Sequence, residues 1–294
     1  MTQTRELTPS TGTTDKTEKN EKTEKIEEKK SESRNAPTRG GGLFSRIIVG
    51  KERKPRRTLL YGTLGIGKTT FASMAPKPIF IPTEDGLADI DAAKFPLIKD
   101  YEQMILALSE LYTEKHAFKT VVIDSIDWLE QIIWRRLCLQ HDEDSIEGVT
   151  KGSKFAFGRG YTLALTFWRG ILEGLDALRN DRDMGVILLS HVKVEQYRSP
   201  DIDTYDRYMP RVHKSVSALL CEWADEVLFA HWNIEVKTLR EGFNQERKQG
   251  IGSGDRIMDT VERPSALAKN RLNLPAEMPL DYREYAKFVN GKQD

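Results

Sequence analysis

Apolar side chains are almost absent from the first forty or so residues and then recur in short, regular runs. The run TLLYG (58–62) is continuously apolar, the pattern of a short strand buried on both faces. Lys68 to Ala75 reads as a helix and PIFIPT (78–83) as a second strand. Tyr101 to Tyr112 carries apolar residues at 101, 104, 105, 108, 111 and 112, which is helical spacing. TVVID (120–124) predicts a third strand, Ile126 to Gln140 a helix, and Tyr161 to Arg179 another, with Leu163, Phe167, Ile171, Leu175 and Leu178 on one face. MGVILLSH (184–191) predicts a fourth strand. Strands alternating with helices predict an α/β fold: a mostly parallel sheet with helices on both faces, whose ligands sit at the carboxyl ends of the strands. The runs DEVLFAHW (225–232), IEVKTLR (234–240) and DRIMDTV (255–261) follow one another closely, which predicts antiparallel C-terminal additions at the sheet edge.

The opening segment, Met1 to about Gly42, is Thr, Glu, Lys and Gly with almost nothing to bury, so ordering it would cost conformational entropy with no compensating core. It is expected to be a disordered N-terminal tail, which divides the chain into a charged tail and linker (1–50) and one folded domain (51–294). The stretch KERKPRR then places Lys51, Arg53, Lys54, Arg56 and Arg57 within seven positions, as a solvated approach to the first strand or as a contact for a polyanion. Over the whole chain 45 Lys and Arg balance 45 Asp and Glu, so a polyanion site would have to come from local clustering. Cys138 and Cys221 show no metal-ligand spacing, and no apolar run approaches the roughly 20 residues that span a bilayer. These features predict a soluble, cytoplasmic protein without a membrane partner.

The chemistry concentrates at YGTLGIGKTT. Gly62, Thr63, Leu64, Gly65, Ile66, Gly67, Lys68 and Thr69 fill the pattern G-x-x-x-x-G-K-[ST], followed by Thr70, between a predicted strand and a predicted helix. Glycines let backbone N–H groups close around phosphate oxygens, Lys68 reaches the terminal phosphates, and the Thr69 hydroxyl is a ligand for Mg²⁺. The acidic metal partner is expected at the end of a neighbouring apolar strand, where Asp124 stands. Helicases and hexameric motors usually carry Glu directly after that Asp, but here Ser125 follows. The base must come from elsewhere, and Glu84, ending the second strand, is the candidate, with Asp85 in reserve. There is no N-K-x-D motif for reading guanine and no LSGGQ-like signature, which disfavours a GTPase and an ABC transporter motor.

With these residues in place the chain resembles the RecA-like P-loop ATPases, and more narrowly the phage-encoded RecA-like family of single-strand annealing and recombination ATPases, often labelled AAA-family ATP-binding proteins. ILLSH ends with His191 where that family carries a polar sensor of the γ-phosphate, and ALAKNRLNLP is similar to the segment whose two basic residues reach a neighbouring subunit's ATP site. The resemblance implies a RecA-like core with ATP and Mg²⁺ as cofactors. It further implies Lys68 and Thr69 on phosphate and metal, Asp124 on metal, Glu84 as base, His191 as sensor, and Lys269 with Arg271 as fingers acting in trans within a homo-oligomer. Single-stranded DNA, and single-strand-binding or recombination proteins, are the implied partners, in a bacterial host's cytoplasm.

Two stretches carry the charge and aromatic faces that hold a single strand. One has Lys151, Lys154 and Arg159 interleaved with Phe155, Phe157 and Tyr161; its rings equally suit packing of a glycine-rich loop onto the core. The other follows His191, with Lys193, Arg198, Arg207, Arg211 and Lys214 set against Asp201, Asp203 and Asp206. A DNA-directed Mg²⁺-dependent ATPase is the reading favoured by the sequence; a nucleotide-gated assembly protein and a small-molecule kinase are the alternatives.

Overall fold

The computed structural model describes residues 43–50, 52–149, 151–198, 203–240 and 246–291. The chain divides into two units, Met1–Arg53 and Lys54–Asp294. The tail to Gly42, together with Lys51 and Asp201 of the basic and post-His191 stretches, lies outside the described residues. In the first unit a 3-10 turn spans Leu43–Arg46.

The second unit is built on a nine-stranded sheet. In chain order its elements are β1 (Arg57–Gly62), α1 (Lys68–Ser73), β2 (Pro78–Pro82), β3 (Ala93–Lys94), α2 (Tyr101–Thr113), β4 (Thr120–Asp124), α3 (Ile126–His141), α4 (Arg159–Asp181), β5 (Gly185–Tyr197), β6 (Tyr205–Pro210), α5 (Lys214–Trp223), β7 (Glu226–Arg240), β8 (Glu246–Asp259), β9 (Glu277–Pro279) and α6 (Tyr282–Val289). The strand order is β3-β2-β4-β5-β1-β7-β8-β9, with β6 paired to β5 off this path. From β3 to β7 neighbours run parallel; β8 and β9 add antiparallel strands.

Both faces of the sheet are covered, and the strand sequences show why. β4 is buried at every position, so its side chains feed two separate cores. On one face Val121 and Ile123 pack with Leu129, Ile133, Trp168 and Leu175 from α3 and α4; on the other Val122 packs with Phe71, Ala72 and Tyr285 from α1 and α6. Helix α4 buries Ala164, Trp168, Ile171, Leu175 and Leu178, a stripe at three- and four-residue steps. Helix α2 starts where Asp100 accepts from the backbone N–H of Gln103 at 2.8 Å and Gln103 returns a side-chain bond to Asp100 at 2.7 Å.

Three expectations need correction. The runs 225–232 and 234–240 form one strand, β7, broken only by a register shift between Trp232 and Ile234, and β7 pairs parallel with β1, so the antiparallel addition begins at β8. The fourth strand does not stop at His191: β5 continues to Tyr197 and pairs antiparallel with β6, making a two-stranded arm from what sequence suggested was a loop. Finally, Arg56 and Arg57 are neither solvated nor available to a polyanion. Arg56 pairs with Glu226, whose side chain is fully buried, and Arg57 bonds Asp225 and Asp176 at 3.2 Å each. Two buried carboxylates, Asp225 just before β7 and Glu226 at its start, need counter-charges.

Candidate nucleotide site

The loop after β1 is shaped by two glycines. A Cβ on Gly62 would lie 2.2 Å from the Ala230 carbonyl oxygen of β7, so only glycine lets the strands meet there, while Gly67 holds φ 104° directly before α1. Ile66 is fully buried and pins the loop to the core around Phe71, whereas Leu64 is exposed. Lys68 turns back over the loop, its ammonium donating to the Gly62 and Thr63 carbonyls at 3.2 and 3.0 Å. Burial holds that ammonium below its ordinary pKa, against the pull of Asp124, Asp127 and Glu84.

A cleft of about 370 Å³ opens here, lined by Gly65, Gly67, Lys68, Thr69 and Thr70 together with Glu84, Gly86, Asp124 and His191. Residues predicted from four separated segments therefore meet at the carboxyl ends of β1, β2 and β4 and at His191, where β5 leaves its pairing with β1. Asp85 is exposed and does not line the cleft. A larger apolar groove, about 650 Å³, runs between Phe95 and Glu110, but its lining holds none of these groups.

The Thr69 hydroxyl donates to Asp124 Oδ2 at 2.8 Å. Burial pushes the Asp124 carboxyl up and Glu84 adds to this, while the Thr69 hydrogen bond and Lys68 oppose it. Hydroxyl and carboxylate oxygens are the hard donors that Mg²⁺ prefers. Among the described residues no group of three or more His, Cys, Asp or Glu is placed to hold a metal ion. The Thr63 and Ser125 hydroxyls are buried beside the cleft without a hydrogen-bond partner among the described residues, which also suits a polar ligand. Buried Thr83 ties β2 to β4, donating to the Ser125 carbonyl at 2.6 Å and accepting from its N–H at 2.9 Å; the Asp124–Ser125 peptide is cis.

His191 sits on a network that sequence did not reveal. Asp127, in the first turn of α3, accepts from the His191 backbone N–H at 3.0 Å and contacts His191 Nδ1 at 2.9 Å. Arg211, just past β6, donates to the same carboxylate from Nε at 3.1 Å and from its terminal nitrogen at 2.6 Å. Arg211 also approaches Nδ1 at 3.3 Å, but the closer carboxylate can only accept, so Nδ1 carries the proton and Nε2 is the free nitrogen. Burial alone would raise the Asp127 pKa; the His191 and Arg211 hydrogen bonds outweigh it and hold the carboxyl well below the usual range. One turn on, buried Glu130 accepts the His213 N–H on both oxygens, at 2.9 and 3.0 Å.

The remaining predicted residues lie elsewhere. Lys269 donates to the Cys221, Glu222 and Ala224 carbonyls at 2.8, 3.2 and 2.7 Å, closing the carboxyl end of α5. Arg271, half exposed, pairs with Asp225 at 3.3 Å. Of the aromatic residues in the glycine-rich stretch, Phe155 is fully buried and Tyr161 stacks on His213 at 4.1 Å, while Phe157 is fully exposed. On the arm, Arg207 is buried against Glu262 and Lys193 pairs with Glu195, whereas Arg198 and Lys214 are exposed, as are Lys151, Lys154 and Arg159.

Comparison with known proteins agrees with this geometry. The AAA domain family matches residues 54–272, from the approach to β1 through Leu272. The SPbeta prophage-derived uncharacterized protein YorG of Bacillus subtilis (strain 168) is 26% identical over 205 residues, which cover 68% of this chain and 56% of that protein's length. A phosphate loop, its metal-side Asp and a parallel sheet in this order, within a family match that covers most of the chain, lead to one statement: the chain belongs to the AAA domain family of RecA-like P-loop ATPases.

Proposed function

We propose that the chain is a Mg²⁺-dependent, phage-encoded ATPase that acts on single-stranded DNA in recombination or strand annealing, as a homo-oligomer in the host cytoplasm. The observation that carries this reading is the link from the phosphate cleft to the arm. His191 lines the cleft and shares the Asp127 carboxylate with Arg211 at the foot of the β5–β6 arm. A group lining the phosphate cleft and the foot of a partly exposed hairpin thus share one buried counter-ion. In this scheme Lys68 and Thr69 hold the phosphates, Asp124 supports the metal, and Glu84 orients and deprotonates the attacking water. His191 faces the γ-phosphate from the cleft wall as its sensor. Arg198, Lys214 and Phe157 supply exposed charge and a stacking face for a single strand. Arg271 is the better candidate for a finger in trans, since its side chain is 55% exposed whereas Lys269 is held by three carbonyls.

ATP turnover measured with and without single-stranded DNA, across protein concentrations and salt, tests the reading. Stimulation by DNA, binding that weakens steeply with salt, and specific activity that rises with concentration support it. Slow turnover indifferent to DNA favours a nucleotide-gated assembly protein, and turnover that depends on an added small acceptor favours a kinase.

A further inference from the structure

The cleft described above accounts for the phosphates and leaves the rest of the nucleotide without a place. Asp124 ends β4, Glu84 follows β2 and His191 lies on β5, all on one side of β1 in the sheet. With the terminal phosphate on that side, the open flank for the other end of the molecule is β7 and β8, next to β1 in the opposite direction.

Register fixes what that flank presents. Gly62 pairs with Ala230, Ala230 with Met258, and Trp232 with Arg256. Ala230 and Met258 pack with Ile66, Phe71 and Ala72 of the phosphate loop and α1. Side chains two residues apart on a strand share a face, so Trp232 and Arg256 continue that face beyond the end of the core. Arg256 reaches the loop itself: a Cβ built on Gly67 would stand 2.7 Å from its Nη1. Arg256 is exposed and, unlike Arg263 further along the chain, has no acidic partner among the described residues. The Trp232 side chain is 40% exposed, and β7 shifts register immediately after it, a local irregularity of the kind that re-aims side chains beside functional sites.

We propose that this pair is the base subsite of the nucleotide: the ring of a nucleoside triphosphate stacks on Trp232, and Arg256 donates to acceptor atoms at the base and ribose end. The inference rests on the reading of Gly62–Thr70 as a nucleotide cradle. Arg256 carries donors only, which suits ring nitrogens and ribose oxygens, and an indole face accepts any base. Gly67 then has a second role, since a side chain there would displace the guanidinium from the edge of the cradle.

The test is equilibrium binding of Mg²⁺-ATP and of Mg²⁺-tripolyphosphate to the full chain and to Trp232→Ala, Trp232→Phe and Arg256→Ala. Both alanine variants are expected to bind ATP about tenfold more weakly, about 1.4 kcal/mol, with tripolyphosphate binding unchanged within twofold. Trp232→Phe, which keeps a stacking face, should retain most of the ATP affinity while removing the change in tryptophan fluorescence expected on ATP binding to the wild-type chain. Unchanged ATP affinity in Trp232→Ala overturns the proposal, as does an equal loss for both ligands. A wild-type chain that binds neither ligand refutes the nucleotide reading itself, whereas one that binds both equally well refutes only the base subsite.

Discussion

Replacing Asp127 by Asn separates the proposed coupling from the phosphate site. The Asp127 side chain is 3% exposed and its carboxylate receives four contacts, two from His191 and two from Arg211. Asparagine keeps the volume and one carbonyl oxygen, so the bond from the His191 backbone survives. Its amide NH₂ faces the Arg211 guanidinium, donor against donor, and the charge is gone. Losing two or three charge-assisted bonds at a buried position, with Arg211 itself half exposed and able to find water, costs about 2–3 kcal/mol. The urea midpoint at pH 7 should fall accordingly. The Asp127 pKa is depressed in the folded chain, so its contribution is fully present above the unfolded carboxyl value of about 3.9 and is lost as pH falls through the lower folded value. The gap between wild type and Asp127→Asn should therefore stay constant from pH 7 to near 4 and close in stronger acid. Functionally, ATP binding should persist while stimulation by single-stranded DNA is lost. A variant with an unchanged midpoint, or with full DNA stimulation, refutes the idea that Asp127 joins cleft and arm.

Glu84→Gln should bind ATP normally and turn it over on the order of 10²–10³-fold more slowly; turnover near wild type in a steady-state assay moves the base elsewhere. Burial pushes the Glu130 carboxyl up to about 7, against the opposing His213 N–H. The folded state therefore holds a proton that the unfolded state releases between about pH 4.5 and 7, and stability falls with rising pH across that window. Glu130→Gln should flatten the dependence in urea melts taken at several pH values, and an unaltered slope removes Glu130 as its source. Lys269→Ala, which uncaps α5, should lower stability by about 1–2 kcal/mol, whereas Arg271→Ala should lower turnover and erase its rise with protein concentration while leaving the melt nearly unchanged. The opposite assignment of the two effects would return the finger role to Lys269.

The parts of the site legible in sequence are those whose chemistry is local. The phosphate loop is a contiguous pattern, and Asp124 and Glu84 each end an apolar run, so strand geometry alone carries them to the same edge of the sheet. Asp127 was not legible as a partner of His191 because the two are 64 residues apart and meet only when β4 and β5 pair in register. Arg207 and Phe155 misled for a related reason. Charge and aromaticity read alike in solvent and in a packed interior, and Glu262 or a glycine-rich loop decides which. The basic run before β1 was the same ambiguity: nothing near Arg56 in sequence announces Glu226, 170 residues on. The β5–β6 arm escaped because the apolar pattern ends at His191 while the backbone pairing does not.

The position of β1 between β5 and β7 explains why the two ends of the site come from such different parts of the chain. A loop leaving a central strand has a neighbour on each side. On one side β5 delivers a histidine in mid-strand and β4 a carboxylate at its end, and β5 itself runs on as the arm, so the cleft-lining His191 and the proposed DNA-binding hairpin share one continuous backbone. On the other side β7 also runs on beyond its pairing with β1, and β8 returns Arg256 to the loop. The buried Asp127 carboxylate grips β5 at His191 and the end of the hairpin at Arg211 simultaneously, so the coupling proposed between cleft and arm has to pass through it.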